Sequence, residues 1–219
     1  MKARLRRLLF LLSVALIAAF SILPFLWFIA TSLKTQMEIT AIPPTLLPSF
    51  SLDFYRSALD DYHLLHYLKN SVIVAGAATA GTIGISLFAG YALARIPLRH
   101  KPLIMGSLLL VAMFPQISIA GPVWQILAAL GWLNSYQGLI LPYITLSLPL
   151  GVWIMTGFFR ELPQELEDAA RVDGCGHLQT LFRIIIPLAA PGVFTAAILV
   201  FIYAWNEFFF ALLIMTQRP

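Results

Sequence analysis

The chain has 219 residues, of which 60% are hydrophobic and only 11% charged, with a formal net charge of +4. A soluble domain carries about 25% charged residues, and no single soluble core hides so much apolar surface, so a soluble globular protein is excluded and a bilayer must act as solvent. The basic excess is not gathered into a patch with interleaved aromatics, which argues against nucleic acid as a partner; the lone Cys175 excludes an intrachain disulfide, and His63, His66, His100 and His177 lack metal-ligand spacing.

The first element is an uncharged run over residues 8–33, preceded by Lys2, Arg4, Arg6 and Arg7. It is long enough for one tilted helix across an apolar core of about 30 Å. A cleaved signal peptide also fits a basic start and an apolar run, but no small-x-small site closes this one, which favours a retained anchor. Residues 34–69 are mixed and carry Pro43, Pro44 and Pro48, which predicts an extramembrane loop with a short amphipathic helix over about 52–68. A second span is predicted over 71–94, with Ala77, Ala80, Gly81 and Gly84 as small faces for close helix packing.

No charge appears between Lys101 and Arg160. That stretch is too long for one helix and fits two, over about 103–121 and 138–159, joined by the turn at Gly131 to Gly138. Pro115 and Pro122 are expected to break the outer end of the third span, and Pro142 and Pro149 to kink the fourth; such breaks must be covered by protein or line a cavity. The fifth span runs over about 191–215, with Glu207 as its only charge. Lys and Arg are enriched in cytoplasmic loops. An N-terminus inside places Lys2, Arg4, Arg6, Arg7, Arg95, Arg99, Lys101, Arg160, Arg171 and Arg183 inside, against Lys34, Arg56, Lys69 and Arg218 outside. The expected fold is therefore all-α: one polytopic transmembrane helix bundle over residues 1–219, with residues 160–190 in the cytoplasm.

That loop holds half of the ten acidic residues of the chain. Pro163 suits a helix start, Glu165, Glu167 and Asp168 oppose the positive end of its dipole, and Gly174 can take the left-handed conformation that ends it. Leu166, Ala169, Ala170 and Asp173 then share one small, flat face. Leu178, Leu181, Phe182, Ile185 and Ile186 repeat at helical spacing up to Pro187, a second amphipathic helix able to rest on the membrane-embedded part. The whole reads as a helix-turn-helix. Spacing alone leaves two meanings open, a solvated connector or a docking surface.

The stretch resembles the cytoplasmic signature of the permease subunits of bacterial binding-protein-dependent ABC importers: Glu-Ala-Ala, three residues, Gly, nine residues, Ile-x-Leu-Pro. Here it stands as Asp168-Ala169-Ala170, Gly174 and Ile184-Ile185-Ile186-Pro187, with Asp for Glu and Ile186 for Leu. "NSVIVAG" at Asn70, "GYALARIPL" at Gly90, "GFFRELPQELEDAARVDG" at Gly157 and "FIYAWNEFFFALL" at Phe201 are similar to maltose-type carbohydrate permeases, and the likeness covers almost the whole chain. The resemblance implies a permease subunit of an ATP-driven sugar importer in the bacterial inner membrane, forming half of the translocation pathway. It implies a homologous second permease, two copies of a cytoplasmic ATPase and an external sugar-binding protein as partners, besides membrane lipid. Leu166, Glu167, Asp168, Ala169, Ala170, Asp173 and Gly174 would couple to the ATPase. This chain has no Gly-rich Gly-Lys-Ser/Thr loop, so ATP and Mg fall to the ATPase subunits and the chain is not itself an enzyme. Trehalose or a maltose-like disaccharide is the expected cargo. Such permeases usually have six spans with both termini inside; five are expected in this sequence, with its last residues outside, and the resemblance implies a sixth that it does not include.

Glu207 sets the remaining question. A charge on an apolar span is costly against lipid, so it faces the bundle, a wet cavity or the outer interface, with Asn206 as a partner. Gln116 and Asn134 are further pathway candidates. A secondary transporter using Glu207 as an ion site, or a membrane anchor without transport, are the rival readings; proline-bearing spans argue against a plain anchor.

Overall fold

A computed structural model describes residues 2–216, with the side chains described from Arg4 onward. The described residues form helices and loops, with no strand among them. The chain divides into two compact units that part between Leu68 and Lys69.

The first unit begins with α1 (Lys2–Ser32), continuous through Pro24. No part of its most apolar window counts as buried within the chain. Beyond it, Thr35 caps the short α2 (Gln36–Thr40) through a reciprocal capping box with Glu38. The Glu38 carboxylate accepts from the Thr35 N–H at 2.8 Å and from the Ser49 hydroxyl at 2.7 Å. Those donors hold its carboxyl below the ordinary range, the Thr35 backbone bond contributing most. Lys34 is buried, with Nζ donating to the Thr45 carbonyl at 2.6 Å and lying 4.4 Å from the Trp27 ring centre. A non-helical loop is thus pinned by side chains. The amphipathic helix expected over 52–68 is shorter: α3 (Asp53–Asp60) stops before His63, whose φ is 49°.

The next helix, α4 (Leu64–Arg95), starts well before the expected residue 71. The third expected span is broken at Pro115, as expected, and the bend there is sharp. Helices α5 (Lys101–Met113) and α6 (Gln116–Ala129) meet at 90°. Phe114 and Pro115 are extended between them, because proline lacks a backbone donor and disfavours helix in the residue before it. Pro122 lies inside α6 and does not end it. Helix α7 (Tyr136–Glu161), capped by Ser135, likewise runs through Pro142 and Pro149. The acidic stretch forms α8 (Glu165–Val172), which starts one residue beyond Gln164 and so leaves Pro163 outside its first turn. Then come α9 (His177–Thr180), a π-helical turn (Leu181–Ile185) and α10 (Ile186–Leu188). This helical run meets α11 (Ala190–Asn206) at 78°. The expected fifth span is interrupted at Glu207 and Phe208, and α12 (Phe209–Ile214) follows.

By length and apolarity three helices suffice to cross a membrane: Arg4–Ser32, Leu64–Arg95 and Tyr136–Glu161. The two bent pairs bring the number to as many as five if each is one span. Small residues seat α4 against α7. A Cβ built on Gly90 would lie 2.8 Å from Met155 Cβ, and one on Gly151 2.5 Å from the Ser86 hydroxyl. Beside them Thr82 Oγ1 and Ser147 Oγ share a buried hydrogen bond of 2.8 Å. Close backbone approach and interhelical hydroxyl bonds are what hold helices together where the solvent is itself apolar.

Two apolar clusters result. One joins Val74, Ala78, Leu139 and Tyr143 to Ala204, Phe210 and Ile214, beside the break at Glu207. The other joins Ile83, Met155 and Phe159 to Leu181, Ile185, Ala196 and Val200, beside the acidic helix.

Candidate functional sites

The two charged places that the sequence singles out lie next to these two clusters. The acidic helix α8 ends in a Schellman motif, with Gly174 at φ 81° as its left-handed residue. The Gly174 N–H donates to the Arg171 carbonyl at 3.0 Å and the Cys175 N–H to the Ala170 carbonyl at 2.9 Å. Gly174 therefore takes the conformation expected of it.

The seven expected coupling residues do not share one face. Glu167 and Ala170 are buried, at 3% and 2% exposure, whereas Asp168, Ala169, Asp173 and Gly174 are exposed and Leu166 is half-buried. Ala170, expected to point outward, packs inward instead. The missing member of the outward face is Val172, 89% exposed. The i, i+3, i+4, i+7 spacing puts Leu166, Ala169, Ala170 and Asp173 on one side of the helix. It could not say which part of that side meets the chain's own core. The second helix departs in the same way: Leu181 and Ile185 are buried, while Leu178 and Phe182 remain exposed. Phe182 meets the Phe88 ring edge-on, 5.9 Å between centres.

What draws Glu167 inward is the last turn of α4. Arg95 pairs with the Glu167 carboxylate, and the Tyr91 hydroxyl donates to its Oε2 at 2.9 Å. Arg95 Nη2 also donates to the Leu162 carbonyl at 2.8 Å. That carbonyl belongs to the C-cap of α7, one of the end groups a helix cannot satisfy itself. The Tyr91 ring stands edge-on to Phe159, 5.9 Å away. Sequence reasoning treated Arg95 only as a charge marking the inner side. Its i,i+4 spacing from Tyr91 was the available signal, since it puts both on one helix face.

At the other cluster an open cavity of about 600 Å³ is lined by Gln116, Tyr203, Asn206 and Glu207, with Phe208 and Phe209 among its apolar walls. Gln116 Nε2 donates to the Tyr203 hydroxyl at 3.0 Å across 87 residues of sequence. The Glu207 carboxylate accepts from the Phe210 N–H at 3.1 and 3.2 Å and so caps α12, while its own carbonyl accepts from the Tyr143 hydroxyl at 3.0 Å. Asn206 Nδ2 donates to the Ile202 carbonyl at 2.8 Å. Three of the four pathway candidates are thus brought together and Tyr203 joins them; it lies three residues before Asn206, on the same face. Asn134 is elsewhere, at φ 56° in the turn before α7, with its N–H donating to the Ile214 carbonyl at 3.2 Å. Among the described residues no group of three or more His, Cys, Asp or Glu could hold a metal ion.

Comparison with known proteins covers the same chain from end to end. Residues 1–219 match the family described as binding-protein-dependent transport system inner membrane component. The trehalose/maltose transport system permease protein MalG of Thermococcus litoralis is 41% identical over 98% of this chain and 77% of its own length. The sulfoquinovosyl glycerol transport system permease protein SmoH of Agrobacterium fabrum is 45% identical over 86% of this chain and 67% of its own. The trehalose transport system permease protein SugB of Mycobacterium tuberculosis is 41% identical over 90% and 72%. Among solved structures, a chain of a bacterial ABC transporter that imports the acidic polysaccharide alginate superposes with a TM-score of 0.81 at 21% identity, covering all of this chain and 76% of that one. At that identity the likeness establishes the fold.

Proposed function

The chain belongs to the family of binding-protein-dependent transport system inner membrane components, a multi-pass permease subunit of an ABC importer, and from that premise we propose that its cargo is a disaccharide of the trehalose or maltose type. The cavity at the α11–α12 break supports this reading. Amide, hydroxyl and carboxylate groups beside the aromatic rings of Phe208 and Phe209 suit a sugar, whose hydroxyls need hydrogen-bond partners and whose C–H faces lie on rings. Glu207, Asn206 and Gln116 then belong to the pathway, with Tyr203 added.

The assembly comprises this subunit, a homologous permease, two cytoplasmic ATPase copies and an external sugar-binding protein, with ATP and Mg held by the ATPases. The N-terminus and the 160–190 loop lie in the cytoplasm, as the distribution of Lys and Arg supports. The outward face of α8, formed by Ala169, Val172 and Asp173, docks in the ATPase. Its high exposure is the observation that carries this assignment: a valine 89% exposed on a charged helix is apolar surface left for a partner.

The test is reconstitution of the full assembly in sealed vesicles, with uptake of labelled trehalose and maltose measured with and without ATP. Uptake should need ATP and survive collapse of ion gradients. Gln116→Ala and Glu207→Gln should lower it while Val172→Asp reduces ATPase recovery. Full uptake in both cavity variants would remove the cavity from the pathway, and uptake driven by an ion gradient alone would replace the ATP-driven reading.

A further inference from the structure

We propose that Tyr91, Arg95 and Glu167 form a clamp that makes α8 move as one body with α4 and the end of α7, so that motion imposed on the docking helix reaches the spans directly. The proposal rests on the reading of α8 as the ATPase docking element.

Three observations lead to it. First, the carboxylate is buried and its partner largely covered: Glu167 is 3% exposed and the Arg95 side chain 13%. A charge taken out of water tolerates separation from its partner poorly, because the remaining ion is left unpaired in a medium that cannot solvate it. The connection therefore resists opening, unlike the exposed Arg171–Asp168 pair of the same helix. Second, the clamp has three arms. Arg95 holds the α8 carboxylate and the Leu162 carbonyl at the C-terminus of α7 at once, and Tyr91 adds a hydrogen bond to the same carboxylate from one turn earlier on α4. Only a planar guanidinium offers donors in several fixed directions, so lysine cannot serve both acceptors in this way. Third, the clamp sits where a push would be delivered. Glu167 lies on the inward face of the same two-turn helix whose outward face carries Ala169 and Val172.

A helix tied only by its flanking loops would yield when pushed. One fixed to a 32-residue helix carries that helix with it. Tyr91, Arg95 and Glu167 are positioning residues in this scheme, since they touch neither sugar nor nucleotide.

The decisive measurement pairs a spin label on the native Cys175 with one at Ser71→Cys, exposed near the other end of α4 and roughly 36 Å along the helix from Arg95. The parent pair should give a narrow distance distribution, the same without nucleotide and in the vanadate-trapped assembly. Arg95→Gln and, independently, the milder Tyr91→Phe should broaden it. In the reconstituted importer the same variants should retain bound ATPase and hydrolyse ATP while sugar moved per ATP falls, roughly tenfold for Arg95→Gln. Arg95→Lys should not restore the ratio.

Unchanged distributions in both variants would overturn the clamp. So would broadening with an unaltered ratio of uptake to hydrolysis, or a parallel loss of ATPase binding and uptake that leaves the ratio constant, since these are the marks of a purely structural contact. The label distances measured on the permease without nucleotide need neither sugar nor ATPase. If the parent assembly fails to move sugar, the transport reading has failed and the distributions alone judge the clamp; if Arg95→Gln does not fold, Tyr91→Phe carries the test.

Discussion

Helices α1 and α7 are both long and apolar enough to cross a membrane, yet none of the most apolar window of α1 is buried in the chain while 50% of that of α7 is. The two helices differ in glycine. Helix α7 offers Gly138, Ser147, Gly151 and Thr156, all buried, while α1 has no glycine and presents Leu16, Phe20 and Phe25 to its surroundings at 73%, 81% and 68% exposure. Within a bilayer, hydropathy separates helix from water but not a lipid-facing side from a protein-facing one. Lipid tails are as apolar as leucine, so only close fit and polar contacts favour another helix.

The comparison breaks most readily at the α4–α7 contact. Gly90→Leu places a side chain where even a Cβ is 2.8 Å from Met155 Cβ and 3.1 Å from the Thr156 backbone nitrogen, and backbone cannot give way as a flexible side chain can. The expected loss is about 3 kcal/mol or more. It should be read as a collapse of the folded fraction on heating in detergent, with membrane insertion retained. An unchanged melting profile would mean that the helices are not seated as described.

A smaller effect tests the polar half of the same contact. Thr82→Val removes the buried bond to Ser147 at near-constant volume. Interhelical bonds of this type are worth about 0.6 kcal/mol on average, so a modest fall in unfolding free energy is expected, and Ser147→Ala in the Thr82→Val background should add little. Additive losses would show that the two hydroxyls do not act on each other.

Smaller still is the matching change on α1. Leu16→Phe enlarges a side chain that is 73% exposed in the chain, and the unfolding free energy should shift by less than about 0.5 kcal/mol. A shift comparable with that of Gly90→Leu would reveal a tight partner on α1 and end the contrast.

The weakest effect concerns the loop after α1. Glu38 has its carboxyl lowered by the Thr35 N–H and the Ser49 hydroxyl, so its contribution is complete above the ordinary carboxylate pKa and is lost as pH falls through the lowered value. Amide exchange across residues 35–49 should quicken on acidification, and Glu38→Gln should flatten that response. A loop equally protected at low pH would show that the carboxylate does not hold it.

Much of this protein follows from its sequence. Apolar runs free of charge show where helices enter the bilayer. Pro115 marks a real break, and Gly174 ends α8 because only a residue without Cβ adopts a positive φ at no steric cost. The spacing from Asp168 to Pro187 makes the family resemblance legible in the sequence alone, and the family match over residues 1–219 agrees with it. These are local properties, decided within a few turns of chain.

The tertiary structure decided which way the residues face and what they meet. Ala170 and Glu167 turn inward because Arg95, more than 70 residues earlier, waits at the end of α4. Gln116 joins Tyr203 and the Glu207 break because α6 and α12 pack together. Asn134 does not, because its turn meets the far end of α12 instead. Helical periodicity states that a face exists and never names its partner. In a chain whose solvent is as apolar as its core, that choice rests on shape and on a few buried polar pairs, and those form only when distant segments come together.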